Sequence, residues 1–347
     1  AAWRLGERLA AAQRAGGVVC SSAGNHAQGF ALACRTMGVR GRVYVPAKTP
    51  KQKRDRIRFH GGEFIDLIVG GATYDDAAAA ARDDVARTGA TLVPPYDDPR
   101  TMAGQGTIAV EMLDQLDAEP DLVIVPVGGG GCIAGITTYL AERTSGTAVL
   151  GIEPAGAAAM IAALAAGEPV TLDHVDQFVD GAAVNRAGQR PFQALAAAGD
   201  MVSVTTVDEG AVCTAMLDLY QNEGIIAEPA GALSVAGLLE TEVRPGSTVI
   251  CLISGGNNDV SRYGEVLERS LVHKSPGHCG ASSTRSSARA TTSPCSSTSS
   301  ATTGRRVRRW WGSNWDRPPT TTGCGPEWTS PACTSKRSSR ARRPTGI

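Results

Sequence analysis

Short apolar runs alternate with longer amphipathic stretches between residues 18 and 273 of the chain. The short runs are rich in β-branched residues and apolar on both faces, a pattern typical of strands buried in a parallel sheet. They cover residues 18–20, 42–45, 63–69, 91–93, 121–126, 148–152, 202–206 and 248–253. The longer stretches have helical spacing and cover residues 27–37, 74–88, 102–116, 132–143, 208–222, 230–239 and 260–273. This alternation predicts an α/β fold whose ligands bind at the carboxyl ends of the strands.

Two groups of four strands flank the predicted helix at 102–116, which indicates two doubly wound parallel-sheet domains. We predict a small α/β domain at residues 16–117 and a large one at residues 118–274. Residues 1–15 are expected to form an N-terminal helix of a truncated large domain. The longest apolar run, about 14 residues from 123 to 136, is too short to span a bilayer, so we expect no membrane partner.

The formal charge of zero, from 34 basic and 34 acidic residues, conceals two unlike segments. Residues 1–274 carry 22 basic and 32 acidic residues, whereas residues 275–347 carry 12 basic and two acidic residues. The second segment is rich in serine, threonine and arginine and has almost no aliphatic residues, so it cannot bury enough apolar area to fold. We predict a disordered tail there. A basic tail that binds nucleic acid is the weaker hypothesis, and we expect no nucleic-acid partner.

The cysteines of residues 1–274 show no CxxC pair and lie scattered among apolar or small residues. Reduced, buried thiols in a cytoplasmic protein are therefore the expectation, and no metal site is predicted. The five cysteines concerned are Cys20, Cys34, Cys132, Cys213 and Cys251.

Two loops after predicted strands combine hydroxyls, glycines and amides. The first loop, residues 20–29, reads CSSAGNHAQG, and the third loop, residues 253–258, reads ISGGNN. Small residues let a ligand approach the backbone, and a helix that starts at such a loop offers free N–H groups to an anion. An ordinary N-capped helix start explains the first loop equally well, and a plain turn in the left-handed region explains the third.

A run of four glycines follows the predicted strand at 121–126 and precedes the helix at 132–143. Consecutive glycines carry an entropic cost, and N–H groups exposed at a helix N-terminus form a cradle for phosphate. This glycine loop, residues 127–132, lacks the motifs of nucleoside triphosphate and dinucleotide sites, so a single phosphate ester fits best. A flexible turn is the alternative interpretation.

Together, these three loops resemble the β-family, or fold type II, of pyridoxal-phosphate enzymes, and within it the threonine dehydratases. The resemblance extends over residues 16–273 and includes VPAKTP at 45–50 and AEPAGA at 227–232, in the family order. It implies the tryptophan synthase β-like architecture of two parallel-sheet domains and pyridoxal 5′-phosphate as the cofactor.

The resemblance also implies a role for each loop. Asn25 would hydrogen-bond the 3′-oxygen of the cofactor, and Ser254 would face its pyridine nitrogen. Glu228 is expected near the cofactor. The cradle for the 5′-phosphate would consist of Gly128, Gly129, Gly130 and Gly131. The substrate carboxylate would be held by Ser21, Ser22, Ala23 and Gly24.

The reaction implied by the resemblance is β-elimination of water from L-threonine, which yields 2-oxobutanoate and ammonia and is the first step toward isoleucine. L-serine is the second candidate substrate. Serine dehydratase, serine racemase and threonine synthase share the fold and use the cofactor in the same way, so they are alternatives. A flavodoxin-like phosphate-binding protein is a further alternative, which leaves the third loop unexplained. The resemblance implies a cytoplasmic homo-oligomer, either a dimer or a tetramer.

Enzymes of this family carry a lysine that forms a Schiff base with the cofactor, in a Ser-(Phe/Tyr)-Lys-x-Arg-Gly-Ala pattern that this chain lacks. We expect that lysine upstream of Ala1, so that the chain would be a fragment, and a catalytically inactive cofactor-binding fragment is the alternative to an enzyme. The family's isoleucine-binding regulatory domain would begin near residues 271–273. A frameshift near Lys274 would explain why the tail stands where that domain is expected. Isoleucine regulation would then be lost with the domain.

Overall fold

The computed structural model describes residues 16–275. The predicted helix at residues 1–15 and the predicted disordered tail lie outside the described residues, except for Ser275 at the start of the tail.

The first sheet has four parallel strands in the order β3-β2-β1-β4. These are β1 (Val18–Ser21), β2 (Gly41–Val45), β3 (Ile65–Val69) and β4 (Thr91–Leu92). In the register, Val18 of β1 pairs with Gly41 of β2 and with Thr91 of β4, so β1 lies inside the sheet.

The second sheet repeats this arrangement in the order β7-β6-β5-β8, also entirely parallel. Its strands are β5 (Leu122–Pro126), β6 (Ala148–Pro154), β7 (Val202–Val207) and β8 (Val249–Cys251). All eight predicted strands are present, with ends shifted by at most two residues. The prediction of two parallel sheets is confirmed.

Ten α-helices connect or flank the described strands. They are α1 (Asn25–Met37), α2 (Lys51–Gly61), α3 (Tyr74–Thr88), α4 (Pro99–Asp114), α5 (Gly131–Arg143), α6 (Ala159–Ala166), α7 (Gln189–Ala198), α8 (Glu209–Glu223), α9 (Pro229–Glu240) and α10 (Tyr263–Lys274). All seven predicted helices occur. Helix α4 begins three residues before its predicted start, because Asp98 caps it and Pro99 occupies its first turn.

Helices α2, α6 and α7 were not predicted from the amphipathic pattern, which α2 and α6 lack. Helix α2 is polar almost all round and buries only Ile57 and Gly61. Helix α6 has the opposite composition and consists only of alanine, methionine, isoleucine and leucine. A helix that is polar or apolar on every face gives little periodic signal, since the signal is the contrast between faces.

Strands β1 and β5 occupy equivalent positions, because each has the next strand on one side and the last strand of its sheet on the other. The carboxyl end of such a strand is the point where an open parallel sheet binds ligands. The first loop follows β1 and the glycine loop follows β5. The buried apolar residues beneath them include Phe30, on helix α1 beside the first sheet, and Ile124 and Ile152 in the second sheet.

All five cysteines of the described region are free, as expected, but only Cys20, Cys34 and Cys213 are buried, while Cys132 and Cys251 are partly exposed. None of the helices within residues 16–275 has the length and apolar content needed to cross a membrane.

Candidate active site

The glycine loop forms an open turn between β5 and α5. Gly130 has a φ of +87°, a left-handed conformation that favours glycine, and it caps α5 without any side-chain hydrogen bond. A Cβ atom at Gly128 would lie 2.8 Å from the Cα of Ala182. Within residues 16–275, the N–H groups of residues 128–131 have no backbone acceptor. Free N–H groups at a helix N-terminus form an anion site, so the loop fits a phosphate.

Tyr96 covers the other face of the glycine loop. A Cβ atom at Gly129 would overlap the Tyr96 ring, and one at Gly131 would lie 2.8 Å from the Tyr96 Cα. The N–H of Gly188 also donates to the carbonyl of Gly129 at 3.1 Å. Sequence reasoning missed Tyr96, although it lies in a Pro-Pro-Tyr-Asp-Asp-Pro segment that follows β4 and could have been examined as a fourth strand end.

The first loop turns from β1 into α1. Ser21 is buried, and its Oγ has no hydrogen-bond partner among the described residues. The Tyr74 hydroxyl donates to the Ser21 carbonyl at 3.2 Å, and burial raises the pKa of Tyr74 to about 12, so this hydroxyl keeps its proton. The Ser22 Oγ accepts from the Gly24 N–H at 3.3 Å.

The first loop is not an N-capped helix start, which was the alternative interpretation. Gly24 is the N-cap of α1 and makes no side-chain cap, and the side chain of Asn25 points elsewhere. Its Nδ2 donates to Oε1 of Glu228 at 2.5 Å, across 203 positions of sequence. The loop therefore leaves the first N–H groups of α1 free of a capping side chain, as an anion site requires.

Glu228 connects the first loop with the third loop. Its Oε1 accepts from Asn25, its Oε2 accepts from the N–H of Asn257 at 3.1 Å, and its own N–H donates to the carbonyl of Gly255 at 3.0 Å. A Cβ atom at Gly255 would overlap the Glu228 carboxylate and lie 2.6 Å from the Asn25 Nδ2. Only glycine at position 255 leaves room for this network.

The Glu228 carboxyl is only 6% exposed, and burial raises its pKa. Asp180 raises the pKa further, whereas the hydrogen bonds from Asn25 and Asn257 and the charge of Lys53 lower it. Asn25, Asn257 and Lys53 therefore stabilise the charged form of the carboxyl against the cost of burial.

The glycine loop approaches this network through the segment that contains Gly181 and Ala182. Ala182 packs on Gly128, and a Cβ atom at Gly181 would lie 2.8 Å from the Cβ of Ala230 and 3.9 Å from Oε1 of Glu228. The first and third loops thus contact Glu228 directly, whereas the glycine loop packs against the segment that borders it. Gly181 and Ala182 were not found from the sequence, since they belong to no strand end or motif.

Ser254 is exposed at the end of the segment that follows β8. Among the described residues its hydroxyl makes no hydrogen bond that would fix its direction, so its contact with the pyridine nitrogen stays a prediction.

Contacts of helix α2 with residues 180 and 258 border a cleft beside Asn25. Lys53 of α2 pairs with Asp180 at 2.5 Å, and Gln52 donates to the carbonyl of Asn258 at 3.3 Å. The cleft has a volume of about 450 Å³. It is lined by Asn25, Gln28, Gln52, Arg56, Gly256 and Asn257. Its walls are polar, and the Nε2 of Gln28 is buried without a partner in the described region.

His26 joins the first turn of α1 to the residue after β4. Its Nε2 lies 3.1 Å from the carbonyl of Val93 and must carry the proton, because a carbonyl only accepts. Burial lowers the pKa of His26 to about 4, while the bond to Val93 opposes this shift.

The free energy of unfolding is expected to fall as the pH drops from about 6.5 to about 4, because His26 takes up a proton in the unfolded chain before it does so in the folded one. The shift corresponds to roughly 3 kcal/mol at the acid end. Urea denaturation at several pH values should show a flatter profile for His26→Gln. His174→Gln, at an exposed position, is the matched control and should keep the wild-type profile.

A sequence model of the family described as "Pyridoxal-phosphate dependent enzyme" matches residues 1–255. The chain belongs to this family. The resemblance drawn from the three loops is confirmed, and so is pyridoxal phosphate as the cofactor of the family.

Individual members of the pyridoxal-phosphate family are similar over most of this chain. The biosynthetic L-threonine dehydratase of Mycobacterium bovis is 84% identical over 272 residues, which cover 78% of this chain and 63% of that enzyme. The chain therefore spans less than two thirds of the length of that curated relative.

Two solved structures share the fold. The processed form of threonine deaminase isoform 2 from Solanum lycopersicum has a TM-score of 0.72 and 33% identity, and the match covers 78% of both chains. Maize serine racemase has a TM-score of 0.69 and 29% identity, and the match covers 78% of this chain and 82% of the other. These likenesses confirm the predicted fold type II architecture.

The residues of this chain fit the cofactor of its family. The glycine loop offers unpaired N–H groups and excludes side chains, as a phosphate site requires. The Asn25 amide already uses one proton on Glu228 and has a second to donate. The unpartnered Ser21 Oγ lies in the same first loop.

Proposed function

We propose that the site deaminates L-threonine to 2-oxobutanoate and ammonia by β-elimination of water, as the first step toward isoleucine. The observation that carries this proposal is the network in which Glu228 joins the first loop to the third loop, in a chain that is 84% identical to a biosynthetic L-threonine dehydratase. The cytoplasmic location, the homo-oligomer and the loss of isoleucine regulation stay predictions.

The glycine loop is proposed to bind the 5′-phosphate of the cofactor through the N–H groups of residues 128–131. The positive end of α5 adds to the attraction, because the helix dipole favours an anion at its N-terminus. Asn25 would donate its second amide proton to the 3′-oxygen, and Ser254 would offer a neutral hydroxyl to the pyridine nitrogen. When bound, pyridoxal phosphate withdraws electrons from the substrate Cα, which permits loss of the α-proton and then of the β-hydroxyl.

The substrate carboxylate is proposed to bind at the first loop. Ser21 supplies a buried hydroxyl that has no partner within the described residues, and the N-terminus of α1 supplies free N–H groups. Ser22, Ala23 and Gly24 complete this loop. A carboxylate bound here would lie beside Asn25 and so beside the cofactor, which holds the Cα–H bond in a fixed orientation.

The lysines of the described region are not placed as a catalytic lysine would be. Lys51, Lys53 and Lys274 pair with carboxylates, and Lys48 lies exposed at the surface. Lys336 lies outside the described residues. We propose that none of these five lysines bonds covalently to the cofactor.

Incubation of the purified chain with pyridoxal phosphate should give a non-covalent complex, and borohydride should leave no cofactor attached to any of the five lysines. Turnover is then expected only when a small primary amine such as ethylamine replaces the missing amino group. In its presence, L-threonine should yield 2-oxobutanoate and ammonia with a higher kcat/KM than L-serine yields pyruvate. Mass spectrometry and a keto-acid assay measure the two results.

Other outcomes distinguish the alternatives. A cofactor-modified peptide that contains one of the five lysines would overturn the lysine assignment. A preference for L-serine would favour a serine dehydratase or racemase, in line with the likeness to maize serine racemase. Tight cofactor binding without turnover of either amino acid would indicate a catalytically inactive cofactor-binding chain.

A further inference from the structure

We infer that Glu153 is a positioning residue for the glycine loop and acts on it through helix α6 and Met160. This inference rests on the proposed binding of pyridoxal phosphate at that loop. It assigns a part in cofactor binding to a residue that lies outside the three loops.

Glu153 lies near the end of β6, where its backbone pairs with Thr206 of β7. Its side chain is fully buried, with 0% exposure. One carboxylate oxygen accepts the N–H of Met160 at 2.8 Å, and the other accepts the N–H of Ile161 at 2.9 Å. The carboxylate therefore caps the N-terminus of α6 from the preceding strand, β6.

Helix α6 has no capping side chain other than Glu153 among the described residues. Its N-cap residue is Ala158, which has no side chain able to accept a hydrogen bond, and the helix contains no polar side chain. A negative charge that accepts N–H groups at a helix N-terminus makes strong, directional bonds. Glu153 thus fixes both the start of α6 and the direction in which Met160 points.

Met160 is fully buried directly against the turn of the glycine loop. A Cβ atom at Gly130 would overlap the Met160 methyl group and lie 2.8 Å from the Cβ of Pro191. Met160 therefore fills the space that a side chain at position 130 would need, and it supports the left-handed turn from which the free N–H groups project.

Burial of this carboxyl is costly, which argues for a specific role. Burial raises the pKa of Glu153 to about 7, and the hydrogen bonds from Met160, Ile161 and Ala159 oppose that shift. An apolar side chain would avoid this cost but could not accept the two N–H groups.

The test compares two ligands that differ only in the phosphate group, pyridoxal 5′-phosphate and pyridoxal, by equilibrium dialysis against the full chain. Glu153→Gln keeps the size of the side chain but turns an NH₂ group toward one N–H donor. We expect it to weaken binding of the phosphorylated ligand about 10-fold and to leave pyridoxal binding unchanged. Met160→Ala, which keeps the carboxylate, should show the same phosphate-selective loss.

A double variant tests whether Glu153 and Met160 act on the glycine loop together. If Glu153 acts through Met160, the combined loss in Glu153→Gln/Met160→Ala will be smaller than the product of the two single losses. Asp208→Asn is the matched control, since Asp208 caps α8 by accepting the N–H of Gly210 at 2.7 Å and has no contact with the glycine loop. It should leave the ratio of the two affinities unchanged.

Equal losses for pyridoxal 5′-phosphate and pyridoxal would overturn the inference and leave Glu153 a purely structural residue. Independent effects of the two substitutions would overturn the path through Met160. If Glu153→Gln does not fold, as judged by circular dichroism, the phosphate-selective loss in Met160→Ala decides the question. Failure of the wild-type chain to bind pyridoxal 5′-phosphate would instead refute the proposed function on which the inference rests.

Discussion

Gly131→Ala is expected to weaken the binding of pyridoxal phosphate by about 10- to 100-fold. This change corresponds to the loss of one or more hydrogen bonds to a charged group. The new Cβ atom would lie 2.8 Å from the Cα of Tyr96 and 2.9 Å from its carbonyl oxygen. These are backbone atoms that no rotamer change can move away, so the glycine loop itself must shift. Absorbance titration of the cofactor measures the effect.

Gly264→Ala is the control for this prediction. Gly264 lies in α10, has no atom near its Cβ position and does not require a left-handed conformation. Alanine there should leave cofactor binding unchanged and stabilise the helix by at most about 1 kcal/mol. An unaltered affinity in a folded Gly131→Ala variant would show that the loop does not bind the phosphate.

Asn25→Asp is expected to lower the free energy of unfolding more than Asn25→Ala does. Asn25→Ala leaves Oε1 of the buried Glu228 without its donor, which costs about 1–3 kcal/mol of the free energy of unfolding. Asn25→Asp places a second carboxylate against the first, so that repulsion adds to the loss. Both variants should also bind pyridoxal phosphate more weakly, because the amide that we propose to donate to the 3′-oxygen is gone.

Acid should partly rescue Asn25→Asp, since one carboxyl of the pair then takes up a proton and can donate to the other. The double variant Asn25→Asp/Glu228→Gln restores a donor and an acceptor with their roles exchanged, and it should regain stability at neutral pH. Urea denaturation without cofactor measures both effects. Equal stability of the Asn25→Asp and Asn25→Ala variants at neutral pH would mean that Glu228 does not face position 25 in solution.

The fold followed closely from the sequence because its signals are local. Strands that are apolar on both faces were recognisable, and so were most helices with one apolar face. Helices α2 and α6 lack that contrast, whereas α7 has it and was still missed. The bounds of α4 shifted because Asp98 and Pro99 define its start more strongly than its apolar spacing does. The small and large domains at residues 16–117 and 118–274 stay a prediction.

The site was only partly predictable. The glycine loop was recognisable because its function needs a rare local composition, and Asn25 and Glu228 were named through the resemblance to the family. Tyr96 and Met160 lie in no rare local composition, and a tyrosine or methionine in the sequence is more often an ordinary packing residue. Their contact with the glycine loop depends on where β4 and α6 lie in space.

The sequence by itself determined the order of strands and helices and the three loops, because each depends on residue types within a few positions of one another. The cofactor followed from the resemblance of these loops to a known family. Only the tertiary structure decided that Asn25 meets Glu228, and that Glu153 supports the glycine loop through Met160. The bond from Asn25 to Glu228 joins the start of α1, beside the first sheet, to the start of α9, beside the second sheet. The contact of Met160 with Gly130 joins two neighbouring crossovers of one sheet. Such contacts depend on how distant segments pack, and no local period or propensity encodes that packing.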